Sequence, residues 1–215
     1  LAILYLAACG GSAFARDEAE DEQPPRVVHV DTERGTWMSL DVSPDGRTLV
    51  FDLLGDIYRL PISGGEAERL TFERVSMDRF QSGSADRAVQ GGPAFDSQPR
   101  FSPDASRIAF ISDRSGSDNI WVMRADGSEP RPVSNERGVI MNSPAWSPDG
   151  RSIAVRRSEN ARSGELWLYP LDGAGEPRAR RRTRVSELID AQGPAFSQEG
   201  GHVYFSAPTD IGEGR

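Results

Sequence analysis

Ser43-Pro44-Asp45-Gly46 stands between two short apolar runs, Leu40-Asp41-Val42 before it and Thr48-Leu49-Val50-Phe51 after it. The stretch returns as Ser102-Pro103-Asp104-Ala105, as Ser147-Pro148-Asp149-Gly150 and, altered, as Ser197-Gln198-Glu199-Gly200. The leading serines lie 59, 45 and 50 positions apart. An apolar residue precedes each copy: Val42, Phe101, Trp146 and Phe196. Proline pre-sets φ at the first corner of a β-turn, aspartate bonds its own downstream backbone, and glycine accepts a positive φ. Each copy therefore reads as a turn with a mechanism. After it come β-rich runs, Ile108-Ala109-Phe110-Ile111, Ile153-Ala154-Val155 and Val203-Tyr204-Phe205, which read as strands.

Self-similarity near 45 residues with strands on both sides of each turn is the pattern of a β-propeller built blade by blade. The expected class is all-β, with four-stranded antiparallel blades over 36–72, 94–135, 139–185 and 188–215. Within the first, Leu49–Phe51 and Asp56–Leu60 are the second and third strands, and Arg69-Leu70-Thr71 starts the outer one. Residues 73–93 break the period. They are polar and read as a weakly ordered surface insertion rather than a substrate lid. About three and a half repeats are present, whereas a propeller closes with ~4–8 blades. The expectation is an N-terminal stretch of a longer protein.

Composition narrows the partners. The 215 residues are 37% apolar and 27% charged, with net charge −8. That charge argues against nucleic acid as a partner. The basic residues are all arginine, so no lysine chemistry is available in this stretch. Residues 1–15 form an apolar export leader, too short for a membrane span of ~20 residues. Leu6-Ala7-Ala8-Cys9 resembles a bacterial lipobox, which would lipidate Cys9; Ala13-Phe14-Ala15 offers a competing cleavage site. Contact with a membrane is expected only through such an anchor, and the protein is expected in the periplasm or as an outer-membrane lipoprotein. Cys9 is the single cysteine, which excludes a disulfide framework. Residues 16–35 read as an acidic linker followed by an entry strand at Arg26–Val30.

Candidate chemistry is sparse. The two histidines, His29 and His202, fall far apart in the chain, and no His-x-His occurs. A zinc site needs about three protein ligands or more. Gly116-Ser117-Asp118 and Gly83-Ser84-Ala85 lack the flanks of a nucleophile elbow. Asp113–Asn119 is rich in oxygen ligands, but it lacks the Asp-x-Asp-x-Asp spacing and final glutamate of a calcium loop and reads as a turn. Arg178, Arg180, Arg181, Arg182 and Arg184 fall where an outer strand belongs, as a charged edge that resists pairing. No catalytic, metal or cofactor residue is assigned here.

The frame Pro-x-aromatic-Ser-Pro-Asp-Gly, then Ile-Ala-Phe, Ile-Trp-Val-Met and Asp-Gly, resembles the TolB-like propeller repeat over residues 36–215. Two stretches are more particular: Gly35–Gly46 running on to Phe51–Tyr58, and Ala94–Asp104. Both resemble the opening blades of exported bacterial proteins in which such a propeller precedes a metal-dependent amidohydrolase domain. That resemblance implies a propeller that gates or docks substrate for its own C-terminal catalytic domain. It implies a divalent metal, zinc by preference, held in that domain by histidines, an aspartate and a carboxylated lysine. Two alternatives stay open. One is a non-enzymatic TolB-like scaffold that binds a peptide or an envelope protein at the propeller mouth. The other is the propeller of a prolyl-oligopeptidase-type serine peptidase.

Overall fold

Fourteen strands, with no helix among the described residues, make four antiparallel sheets. The computed structural model describes residues 38–71, 94–160, 163–171, 180–181 and 192–206. All belong to one compact unit, Gly35–Arg215. The leader with Cys9, the linker and entry strand with Trp37 and His29, the insertion at 73–93, Asp172-Gly173, and Arg178, Arg182 and Arg184 lie outside the described residues.

Strands pair in chain order in each sheet. The first holds β1 (Leu40–Val42), β2 (Thr48–Leu53), β3 (Asp56–Pro61) and β4 (Glu68–Arg69). The second holds β5 (Asp96–Phe101), β6 (Arg107–Ser112), β7 (Asn119–Arg124) and β8 (Arg131–Pro132). The third holds β9 (Ile140–Trp146), β10 (Ser152–Asn160), β11 (Ser163–Pro170) and β12 (Arg180–Arg181). The fourth holds β13 (Gln192–Phe196) and β14 (Val203–Ser206). The leading strands β1, β5, β9 and β13 neighbour one another across the sheets and form the inner wall. The described residues thus form three four-stranded propeller blades and a two-stranded sheet in the place of a fourth.

The runs Ile108–Ile111 and Ile153–Val155 are apolar at every position because both faces of their sheets are covered. Ile108 and Phe110 join Val50, Ile57 and Leu70 of the first blade; Ala109 and Ile111 join Met141, Trp146 and Ile153 of the third. The core therefore lies between blades, not within one. Fully burying a side chain such as Phe110 or Ile120 contributes about 1.5–3 kcal/mol.

The outer strand of the first blade differs from expectation. It spans Glu68–Arg69, and Leu70 and Thr71 turn inward. Both of their N–H groups donate to Ile57 O, and Thr71 Oγ1 accepts Ile57 N–H at 2.8 Å. The second blade repeats this: Val133 and Ser134 donate to Ile120 O, and Ser134 Oγ accepts Ile120 N–H at 2.9 Å. Burial of Leu70 and Val133 between blades outweighs extension of a solvated edge.

Candidate functional site

The repeated turn is a closed hydrogen-bonding unit. Ser43 Oγ donates to Asp45 Oδ1 at 2.6 Å and accepts Thr48 N–H at 2.9 Å, while Asp45 Oδ1 also accepts Arg47 N–H. Ser102 and Asp104 make the same bonds with Arg107 and Ser106, and Ser147 and Asp149 with Ser152 and Arg151. The serines are buried and the carboxylates exposed. The serine hydroxyl, then the backbone N–H, hold Asp45, Asp104 and Asp149 below the usual carboxylate range, Asp104 down to about 2. Pro44, Pro103 and Pro148 stay at the exposed corner. Gly46 and Gly150 take φ of +70° and +66°; Ala105 is forced to +58° in the same place. In the fourth copy Ser197 accepts His202 N–H at 3.2 Å.

Four residues before Ser102, Ser147 and Ser197 sits a second repeated feature. Gln98, Ser143 and Gly193 have φ of +56°, +57° and +61°, and strand register slips at each. The inner strands β5, β9 and β13 thus each carry a β-bulge that turns an N–H away from its own sheet, whereas β1 pairs without one. Gln98 N–H donates to Asp52 Oδ2 of the preceding blade at 2.7 Å, and Asp52 Oδ1 accepts Ser39 N–H at 2.8 Å. Ser143 N–H donates to Gln98 Oε1 at 2.5 Å. Nearer the turns, Phe101 N–H donates to Asp41 Oδ2 at 2.8 Å, and Trp146 Nε1 to Arg100 O at 3.0 Å. Arg107 lies 4.9 Å over the Trp146 ring and donates to Gly150 O. One side chain after another latches a blade to the next.

Two open cavities face the inner strands. One of about 410 Å³ lies by the turns, between Asp41, Arg100, Trp146 and Pro194. The other, of about 500 Å³, lies at the bulges; Ser39, Gln98, Arg100, Asn142, Arg156 and Gln192 are among its lining. No acidic side chain lines this second cavity among the described residues. The arrangement offers amide and guanidinium donors. It can bind; among the described residues no nucleophile–base pair is assembled on it.

Other candidate residues serve the fold. Asp113 Oδ1 accepts Phe95 N–H at 2.7 Å, and Asp118 Oδ2 accepts Met141 N–H at 3.3 Å. Burial, with Asp113 nearby, pushes the Asp118 carboxyl up. Asn119 bonds Ser115, Ser117, Ser134 and Glu136, which closes the loop from inside. Ser117 Oγ donates to Val139 O. His202 is exposed, its ring 6.4 Å from that of Tyr204. Arg180 and Arg181 are in β12, paired at the outer edge of β11. Among the described residues no group of three or more His, Cys, Asp or Glu could hold a metal ion.

Sequence reasoning did not assign Asp41, Asp52, Gln98, Arg100 or Arg156 to any site. Asp52 alone carried a signal: a carboxylate on the buried face of a strand, between Phe51 and Leu53. Nor did it find Asp96, buried against Arg114, whose guanidinium stacks 4.8 Å over Trp121 and 5.3 Å over Phe110.

The sequence pattern of the TolB beta propeller domain matches residues 77–207, more than half of the chain. The chain belongs to the TolB β-propeller family. The Tol-Pal system protein TolB of Anaeromyxobacter dehalogenans strain 2CP-C is 35% identical over 103 residues, 47% of this chain and 22% of that protein. Tricorn protease homolog 1 of Streptomyces coelicolor is 24% identical over 132 residues, 60% of this chain and 11% of that protein. The chain thus spans about a tenth to a fifth of these relatives. The structure of a TolB-type protein from Agrobacterium tumefaciens superposes with a TM-score of 0.58 at 21% identity, over 79% of this chain and 53% of that one. That likeness is one of fold.

Proposed function

We propose that this TolB-type propeller is the docking part of an exported hydrolase. Its inner wall receives an extended, polar segment of substrate or partner, and bond cleavage belongs to a catalytic domain elsewhere in the protein. The observation that carries the reading is the polar cavity at the bulges, lined by Gln98, Arg100, Asn142, Arg156 and Gln192 from successive blades. Extended chains offer unpaired carbonyls and carboxylates that such donors recognise. The catalytic partner is a metal-dependent amidohydrolase with zinc. This part rests on the resemblance of Gly35–Tyr58 and Ala94–Asp104 to the opening blades of such proteins. Export rests on the leader at 1–15, with Cys9 as the lipid anchor.

A second reading, the propeller of a serine peptidase, is favoured by the 24% identity with the tricorn protease homolog. The two separate in one experiment on the full-length protein. Loss of amide hydrolysis with a chelator, restored by zinc, supports the amidohydrolase. Labelling by a fluorophosphonate probe with indifference to chelator supports the peptidase. Neither activity, together with peptide binding, identifies a TolB-like scaffold instead. Mass spectrometry of the mature N-terminus tests export: an acylated Cys9 or a free Arg16 supports it, and an unprocessed leader refutes it.

A further inference from the structure

Two arginines, Arg100 and Arg156, line the cavity at the bulges, in a chain whose net charge is −8. Arg100 is on β5, half-buried, with Nη1 donating to Pro99 O at 2.7 Å and to Leu40 O. Those two carbonyls fix its head against the inner wall. Arg156 is on β10, opposite Asn142 of β9, and is only 7% exposed. It has an interaction of its own within the chain. A guanidinium carries five donors in a rigid fork, so one engagement leaves capacity for another.

Gly164 explains how Arg156 is held. A Cβ on Gly164 would fall 2.2 Å from Arg156 Nε and 2.6 Å from its Cζ, well inside contact. Gly164 shows no positive φ, so the backbone does not require glycine there. The missing side chain makes the space through which the guanidinium passes. Around the two arginines stand Gln98, Asn142, Ser143 and Gln192, neutral polar side chains. Two arginines in the lining, with neutral amides about them, offer donors to an oxyanion; the planar fork matches a carboxylate.

We propose that Arg100 and Arg156, the latter positioned by Gly164, form a carboxylate-binding subsite on the inner wall, and that the docked segment is a peptide presenting a free C-terminus or an Asp or Glu side chain. This deepens the docking reading and rests on it.

The test is titration calorimetry on the full chain with five probes. These are tetra-alanine with a free C-terminus, the same peptide amidated, an N-acetylated and amidated Ala-Asp-Ala-Asp, acetate, and inorganic phosphate. The free-acid or the aspartyl peptide is expected to bind, and the amidated tetra-alanine about tenfold more weakly or less. Arg100→Gln and Gly164→Ala are each expected to remove that preference. Arg100 is half-buried rather than buried, so Arg100→Gln keeps the test open where Gly164→Ala fails to fold. Whichever of the two carboxylate peptides binds more tightly identifies the source of the carboxylate. Equal binding of free and amidated peptides overturns the subsite and leaves docking standing. Acetate binding that Arg100→Gln abolishes, with no peptide bound, upholds the anion receptor and overturns docking. Tighter binding of phosphate than of either carboxylate peptide overturns the carboxylate assignment.

Discussion

Asp52→Ala is the sharpest perturbation of the fold. The Asp52 carboxylate is 8% exposed and accepts two backbone N–H groups, Ser39 at 2.8 Å and Gln98 at 2.7 Å. The first closes the start of its own blade; the second crosses to the next. A hydrogen bond to a charged group contributes about 1.5–3 kcal/mol, so two give about 3–6 kcal/mol. Ser39 is half-buried and water can replace its partner; Gln98 N–H sits on a bulge and loses more. We therefore expect the lower half of that range, about 3 kcal/mol. For a domain of this size that lowers Tm by about 6–12 °C. Asp52→Asn keeps one acceptor and turns an NH2 group toward a donor, so it should fall between wild type and Asp52→Ala. Urea unfolding followed by tryptophan fluorescence and near-ultraviolet circular dichroism measures both. A loss below about 0.5 kcal/mol for Asp52→Ala, the range of ordinary surface changes, would refute the latch.

Other expectations follow from single contacts. Ala105→Gly should raise stability by up to about 1 kcal/mol, because a left-handed alanine costs about 1–2 kcal/mol and glycine's extra chain entropy offsets part of that; the same melts check it. Arg114→Ala should lower stability by about 3–5 kcal/mol, since Asp96 at 2% exposure would be left charged without its partner; adding Asp96→Asn should restore part of the loss. Asp45, Asp104 and Asp149 have folded-state pKa values below those of the unfolded chain. Their contribution is complete above about pH 4, the unfolded aspartate range, and is lost as pH falls through about 2 for Asp104. Asp104→Asn should flatten the fall in stability over that window and change little in slope near pH 7.

The fold class was open to sequence reading because its signals are local. A turn tetrapeptide and a β-rich run each sit within about ten residues, and their recurrence gives the architecture without any knowledge of contacts. The blade partners were not readable in the same way. Gln98 receives Ser143 N–H across 45 positions, and Asp52 receives Gln98 N–H across 46. Neither pairing leaves a periodic trace, because the latching atom is a carboxylate in one blade and an amide oxygen in the next. The outer strand was misplaced at Leu70 and Thr71 for a related reason: β propensity favoured extension, and burial against the neighbouring blade decided otherwise. The cavity arginines were invisible in a chain where every basic residue is arginine.

The stretches that carry the more particular resemblance, Gly35–Tyr58 and Ala94–Asp104, contain Asp41, Asp52, Gln98 and Phe101, all of them latch partners. Their distinctiveness is therefore a property of how the first two blades join. Binding has to be sought in the polar side chains beside them that face the cavity, Arg100, Asn142 and Gln192. The two sets make opposite predictions. Latch variants such as Asp41→Ala and Asp52→Ala should lower the urea midpoint and leave peptide affinity per folded molecule unchanged, since those carboxylates face backbone N–H groups. Cavity variants such as Asn142→Ala and Gln192→Ala should lower the midpoint less than the latch variants do and should weaken peptide binding. Measured on the same samples, calorimetric affinity and urea midpoint should vary independently across the four variants. If affinity instead follows stability, the wall acts as one structural unit, and a binding surface distinct from the latches has no support.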